Sequence, residues 1–226
     1  MKYEVIKKAV FLERLNRFVA KVNVDGEEIL CHVKNTGRCR ELLIPGAEVF
    51  LEESGNENRK YKYSLVSVLK GDMLVNMDSS APNKAVKEFL EKGGLFSDIT
   101  LIKPETAYGK SRFDFYVEHG DKKTFIEVKG VTLENDGAVM FPDAPTERGS
   151  KHIKHLCQCV EEGYEAYIFF VIQMKNVKYF TPNDKTDKVF ADNLKTAKAK
   201  GVNIVAYDCF VNKDSMEIGD KVKVIL

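Results

Sequence analysis

The chain has 226 residues, 44% of them hydrophobic and 31% charged, which is the composition of a globular protein with one large or two small domains. It contains no apolar run of the ~18 residues that a membrane helix needs, and its N-terminus lacks a signal-peptide core, so we expect a cytoplasmic protein. A net charge of +1 excludes recognition of nucleic acid through a general basic field and leaves only local basic patches.

The first third of the chain is predicted to be β-structure, because short alternating apolar runs are separated by turns rich in Gly, Asn and Asp. The predicted strands are RFVAKVNV, EEILCHV, AEVFLEE, YKYSLVSVL and MLVNM. Five short strands in about seventy to eighty residues match a small closed barrel such as the oligonucleotide/oligosaccharide-binding (OB) fold. We assign residues 1–80 to this OB-like, nucleic-acid-binding domain.

Residues 81–226 alternate between helical and strand patterns, which predicts an α/β domain with a mixed sheet. A helix in PNKAVKEFLEKGG precedes three strands, and two later helices alternate with the apolar strands AYIFFVIQM and VNIVAYDCF. The long crossovers predict that the later strands are parallel. The final KVKVIL is predicted to close one edge of the sheet.

The stretch FIEVKG places two charges inside an apolar strand, where unpaired charges are costly. Residues i and i+2 of a strand point to the same side, so Glu127 and Lys129 are predicted to share one face. Ile126 and Val128 are predicted to pack on the other face.

The preceding strand predicts the same division, with Arg112 and Asp114 on one face and Phe113 and Phe115 on the other. If the two strands form a hairpin, Asp114 lies close to Glu127. Adjacent carboxylates suit Mg²⁺ or Mn²⁺, and a lysine beside the metal suits phosphodiester hydrolysis. A solvated Glu–Lys pair would give the same E-x-K triplet, so the residues alone leave both interpretations open.

Four stretches of the chain resemble a known family, in the order NTGRCRELLIPG, YGKSRFDF, EVKGVTL and FPDAPTERGSKH. The order D…E-x-K on a helix–strand–strand–strand–helix core resembles the PD-(D/E)xK nuclease superfamily, and the four stretches together resemble the sugar fermentation stimulation protein family. This resemblance implies an OB-like N-terminal domain, a PD-(D/E)xK nuclease-like domain and DNA as the partner.

Carried over to this chain, the resemblance implies that Asp114 and Glu127 bind Mg²⁺ or Mn²⁺ and that Lys129 is the catalytic lysine. One departure is Phe113, which stands where the superfamily has a proline that is not a ligand. Weaker candidates for a further acidic ligand are Glu88, Glu91 and Glu105.

Two basic segments are predicted to contact a nucleic-acid backbone. The loop VKNTGRCR carries Lys34, Arg38 and Arg40 with no acid among them. It is either an exposed basic loop or a phosphate-binding loop, and the family resemblance favours the second. In TERGSKHIKH, Thr146 is predicted to cap a helix whose N-terminus attracts phosphate. The nuclease-like domain is predicted to contact DNA through Arg112, Arg148, Lys151 and His152.

We therefore expect a DNA-binding protein with divalent-metal-dependent phosphodiesterase, that is nuclease, activity. The alternative is a non-catalytic DNA-binding regulator of sugar metabolism that retains a nuclease-like scaffold. The intact D…E-x-K favours the enzyme. A third hypothesis, an oligosaccharide-binding module, depends on the barrel alone.

Overall fold

Alternating apolar residues at the start of the chain form a closed five-stranded barrel in the computed structural model, which describes all of residues 1–226. The barrel strands are β1 (Ile6–Asn16), β2 (Val19–Val24), β3 (Glu27–Val33), β4 (Glu48–Glu53) and β5 (Tyr63–Lys70). Strand β1 pairs with β2 and β4, and a short parallel pairing of β3 with β5 closes the barrel. Phe11, Val22, Leu51 and Leu65 are buried inside it.

The barrel has five strands, as predicted, but one of the five predicted strands does not belong to it. The strand β1 was not predicted, because only Ala9 and Phe11 are buried among its many charged residues. The last predicted strand is β6 (Met73–Asn76), which pairs only with β5 and extends the sheet outside the barrel.

The rest of the chain forms the predicted α/β domain with a mixed sheet. Its strands are β7 (Ile99–Tyr108), β8 (Ser111–His119), β9 (Lys122–Val131), β10 (Leu133–Asn135), β11 (Ala138–Phe141), β12 (Glu165–Ile172), β13 (Tyr179–Pro182), β14 (Asn203–Asn212) and β15 (Ser215–Val222). Its helices are α1 (Ala81–Glu91), α2 (Glu147–Glu161) and α3 (Lys188–Ala199). None of these helices is long and apolar enough to span a bilayer.

The six-stranded sheet has the order β15-β14-β12-β9-β8-β7, and β9, β12 and β14 are parallel as predicted. Helix α1 packs on one face of this sheet, and α2 packs on the other. The Thr146 hydroxyl accepts a hydrogen bond from Gly149 N at 3.0 Å, which confirms the predicted cap of α2.

Two parts of the domain differ from the sequence prediction. The strands β10, β11 and β13 form a separate small sheet that was not predicted, because strands of three or four residues are too short to show a period. The predicted KVKVIL closes the sheet edge only through Lys221 and Val222, which are the last paired residues of the longer strand β15, whereas Val224 forms an isolated bridge to Phe180.

A buried polar joint connects the barrel to the α/β domain at the end of β6. The Asp78 carboxylate is fully buried and lies 3.1 Å from Lys34 Nζ, which also lies 2.7 Å from Glu52 Oε2. The same carboxylate accepts a hydrogen bond from Ser80 N at 2.9 Å. Gln173 Nε2, from the end of β12, donates to Asp78 O at 3.2 Å. These contacts fix the loop of residues 33–40, the barrel loop, beside the start of α1.

We predict that Asp78→Ala lowers the free energy of unfolding by about 3 kcal/mol, because it removes a buried carboxylate that accepts hydrogen bonds from both Lys34 and Ser80. Urea unfolding followed by circular dichroism measures this change. The exposed Asp121→Ala is the matched control and should change stability by less than about 0.5 kcal/mol. Equal effects of the two substitutions would contradict a structural role for the joint.

Candidate active site

The site forms where strands β8 and β9 separate. Their antiparallel pairing begins at His119 and Lys122 and ends at Phe115 and Ile126. Beyond this point the side chain of Asp114 replaces the missing backbone partner, and its Oδ2 accepts a hydrogen bond from Val128 N at 2.7 Å. The other oxygen, Oδ1, accepts a hydrogen bond from Asn83 Nδ2 of α1 at 2.7 Å. Asp114 is therefore fixed by groups from two different elements.

The alternation predicted for β8 is wrong at this point. Phe115 packs in the core on the α1 side of the sheet, whereas Phe113 packs in the core on the α2 side. The Phe113 ring centroid lies 6.1 Å from that of His152. On β7, Glu105 lies opposite Asp114 in the register and has a φ of 48°, so both strands depart from regular geometry here. This irregularity directs Asp114 into the gap between the strands.

The prediction for β9 is confirmed, since Ile126 and Val128 pack on the α1 side and Glu127 faces α2. Glu127 is only 3% exposed, and its Oε1 accepts hydrogen bonds from both Lys129 Nζ and His152 Nδ1. Its Oε2 is buried and has no hydrogen-bond partner. Oε1 of Glu127 is thus paired with two side chains, whereas Oε2 has no hydrogen-bond partner.

The two carboxylates differ in their protonation equilibria. Burial, and then the charge of Glu127, raise the pKa of Asp114 above its usual value. Burial also favours the neutral form of Glu127, but the hydrogen bond from His152 and the charge of Lys129 outweigh it and lower the pKa of Glu127. The ionised form of Asp114 therefore experiences repulsion that the surrounding side chains do not neutralise.

The donor set fits a hard divalent cation. Buried Oε2 of Glu127 lacks a partner, and a cation between the carboxylates would satisfy it and relieve the repulsion at Asp114. Because the N–H and C=O of one strand residue point to the same edge, the Val128 carbonyl also faces this gap. No group of three or more His, Cys, Asp or Glu side chains converges here, so the two carboxylates are the acidic ligands available.

The weaker acidic candidates are engaged elsewhere. Glu88 Oε2 lies 2.6 Å from the amino group of Met1, and Glu105 is exposed and lies 3.5 Å from Arg112 Nη1. Helix α1 contributes Asn83 to the site instead of an acid.

The predicted DNA-binding residues fall into exposed and buried groups. Lys34 is paired in the interdomain joint, and His152 is only 5% exposed and contacts Glu127, so neither side chain is free on the protein surface. The exposed residues are Arg38, Arg40, Arg112, Arg148 and Lys151. Helical periodicity could place His152 on one side of α2, but it could not show that this side packs against β9.

The barrel loop is organised by Arg14, a residue that the sequence did not indicate because β1 was not predicted. Its guanidinium donates to Gly37 O at 2.7 Å, to Arg38 O at 2.9 Å and to Asn35 O at 2.7 Å. Asp143 Oδ2 accepts a hydrogen bond from Arg38 N at 2.9 Å, which ties the loop to the α/β domain. The loop is therefore held beside the site rather than projecting freely.

Comparisons with known proteins match the chain over nearly its whole length. The family model for the SfsA N-terminal OB domain matches residues 12–77, and that for the sugar fermentation stimulation protein RE domain matches residues 80–215. Sugar fermentation stimulation protein homologs from Clostridium beijerinckii and Ruminiclostridium cellulolyticum are 61% and 58% identical, each over 100% of both chains. The structure of Pyrococcus furiosus SfsA in complex with Ca²⁺ has a TM-score of 0.91 and 29% identity, covering 100% of this chain and 98% of that one.

We predict that Asp114→Asn stabilises the metal-free protein at pH 7, by about 1 kcal/mol or ~2–4 °C in Tm. The folded pKa of Asp114 is raised, so stability is lost as pH rises from the unfolded value of about 3.9 through the folded pKa. The neutral amide removes this loss, and Asn83 can rotate its amide to remain paired.

Thermal unfolding in EDTA measures the difference, which should shrink as the pH falls toward about 4. Asp98→Asn, at an exposed turn, is the control. An Asp114→Asn protein that melts below the wild type at pH 7 would show that the carboxylate is a stabilising structural group.

Proposed function

The chain belongs to the sugar fermentation stimulation (SfsA) family, and on that premise we propose that it binds DNA and hydrolyses phosphodiester bonds with a divalent cation held by Asp114 and Glu127. The observation that carries the proposal is the buried Oε2 of Glu127, which has no partner within the protein and lies in a site where Asp114 is also destabilised as an anion. A purely structural ion pair would leave neither group unsatisfied.

Each residue of the site has a distinct role in this proposal. A cation bound there supplies Lewis-acid stabilisation of the scissile phosphate and lowers the pKa of a water. Asn83 and the Val128 N–H orient the Asp114 carboxylate, and His152 holds Oε1 of Glu127 so that Oε2 points to the ligand position. Lys129 is the residue that contacts the reacting phosphate or its water, since its ammonium group is partly exposed beside Glu127.

The related structure supports the choice of cation class. Pyrococcus furiosus SfsA was solved in complex with Ca²⁺, a hard cation that prefers the oxygen ligands that Mg²⁺ and Mn²⁺ also prefer. At 29% identity over the whole chain, this likeness supports a divalent-cation site in the present protein.

The DNA-binding surface in this proposal is local and basic. Arg38 and Arg40 are exposed on the barrel loop that Arg14 fixes, and Arg148 and Lys151 are exposed on the first turns of α2. Lys151 directly precedes His152, which contacts Glu127, so these cations lie around the site. Arginine forks and lysine ammonium groups at such positions bind phosphates irrespective of base sequence.

A non-catalytic DNA-binding regulator is the second candidate. The observation that favours it is the direct contact of Lys129 Nζ with Glu127 Oε1, which is also the geometry of a structural ion pair. The enzyme remains the better proposal, because such a pair explains neither the unsatisfied Oε2 nor the position of Asp114.

We predict that Lys129→Ala lowers DNA cleavage by at least about 100-fold, because it removes one stabilising charge from the transition state. Binding should change less than about threefold, since one phosphate contact is lost. Cleavage of single- and double-stranded DNA in Mg²⁺ and in Mn²⁺, and binding in EDTA, measure the two effects. Lys123→Ala, exposed on the same strand, is the control and should cleave like the wild type. Wild-type protein that binds DNA but cleaves none in either metal would favour the regulator.

We predict that the double substitution Arg38→Ala and Arg40→Ala reduces the slope of log affinity against log salt by up to about 1.8, at about 0.9 per lost phosphate contact. Fluorescence anisotropy with duplex DNA at several salt concentrations measures the slope. Lys7→Ala with Lys8→Ala on β1 removes the same charge elsewhere and controls for net charge. Equal slopes for the two double variants would exclude a specific contact by the barrel loop.

A further inference from the structure

A cleft of about 320 Å³ lies between the barrel and the α/β domain, beside the site. The barrel loop contributes residues 35–37, and the turn before α2 contributes residues 141–146. Gly130 and Thr132 form another part of the wall, and Gly130 directly follows Lys129. Parts of three sequence stretches that resemble the family thus meet in one cleft, which borders the residue that follows the proposed catalytic lysine.

The chemistry of the wall is polar but almost uncharged. No lysine or arginine lines the cleft, and Asp143 is its only charged side chain. A phosphate group would therefore meet no cation here and one repelling carboxylate. The wall instead combines hydrogen-bonding groups such as Asn35 and Thr132 with the apolar faces of Met140 and Phe141. This combination suits a flat, uncharged ligand that carries hydrogen-bond donors.

Gln173 supplies a buried acceptor to the cleft. The residue is 1% exposed and lines the cleft, and its Nε2 donates to Asn76 Oδ1 at 3.1 Å and to Asp78 O at 3.2 Å. These bonds fix the orientation of the Gln173 amide and direct Oε1 away from Asn76 and Asp78. Oε1 accepts no hydrogen bond within the chain, and it is not among the buried side-chain atoms that lack a partner, so it is accessible from the cleft.

Gly130 keeps this acceptor open. A Cβ atom at residue 130 would lie 2.4 Å from Gln173 Oε1 and 2.9 Å from Pro82 Cγ, closer than real Cβ atoms approach. The backbone of residue 130 has no positive φ that would itself require glycine. The glycine is therefore explained by the close approach of the Gln173 amide and Pro82 to the backbone of β9, and a side chain at this position would displace the amide.

We propose that the cleft holds one unpaired nucleobase of the DNA strand whose backbone crosses the catalytic site. A base has two flat faces for Met140 and Phe141, and it carries amino or imino donors on its Watson–Crick edge for Gln173 Oε1. A cleft of about 320 Å³ has room for a single nucleoside. The inference rests on the proposed function and narrows its substrate class to single-stranded or locally unpaired DNA.

The test separates contacts to bases from contacts to phosphates. Two single strands of twelve units are compared by fluorescence anisotropy in EDTA, one of deoxycytidine and one with the same backbone but no bases. The wild type should bind the deoxycytidine strand at least about fivefold more tightly, the lower limit for one stacked base. Ala144→Trp, which fills the cleft from its rim, should abolish this difference and leave affinity for the abasic strand unchanged.

The controls keep the two proposals distinguishable. Ala199→Trp places the same side chain on the exposed end of α3 and should bind both strands like the wild type. Ala144→Leu is a smaller filler for use if melting curves show that the tryptophan variant is unfolded. If the wild type binds both strands equally, or if Ala144→Trp binds deoxycytidine like the wild type, the base pocket is overturned while DNA binding stands. If the wild type binds neither strand but binds duplex DNA, the pocket fails and the proposed function stands; if it binds no DNA at all, both fail.

Discussion

The separation of β8 from β9 after the Phe115–Ile126 pair is the constraint on which the candidate site depends. A continued antiparallel ladder would satisfy the Val128 N–H with a backbone carbonyl and would leave no gap. In this protein the N–H is satisfied by the Asp114 carboxylate, and Asn83 of α1 holds the other oxygen. A main-chain requirement therefore positions a charged side chain, and that side chain cannot rotate away without leaving a buried N–H unpaired.

The same arrangement brings the unfavourable electrostatic interactions of two buried carboxylates, Asp114 and Glu127, together in one site. Lys129 and His152 stabilise the anionic form of Glu127 through a single oxygen, while Asp114 receives hydrogen bonds but no direct ion pair. Native cores rarely leave buried carboxylate oxygens unsatisfied, and sites that do so are candidates for ligand binding. The surrounding structure must hold this arrangement, and the buried joint at Asp78 lies three residues before the start of α1, which carries Asn83.

The sequence predicted the features that depend on a local period. The period of two placed Glu127 and Lys129 on one face of β9, and the long helical crossovers predicted that the later strands are parallel, as β12 and β14 are. The sequence prediction failed where tertiary contacts override this period. Phe113 and Phe115 pack in different cores because the strand is irregular between them, and this irregularity involves a contact from a different helix. His152 contacts Glu127 only because α2 packs over β9, which helical spacing alone cannot specify.

The side chain of Gln173 belongs to both the buried polar joint and the cleft. The Nε2 of Gln173 connects the domains through Asn76 and Asp78, and its Oε1 is left beside Gly130 in the cleft. Any rotation of the barrel against the sheet would therefore move the loop wall of the cleft and disturb the amide at the same time. Arg14 and Asp143 together hold residues 35–38 of the loop, so the position of the barrel, rather than flexibility of the loop, sets the width of the cleft. In the proposed complex a strand bound across Lys129 would contact both domains at once, so the rigidity of the joint between them would contribute to affinity.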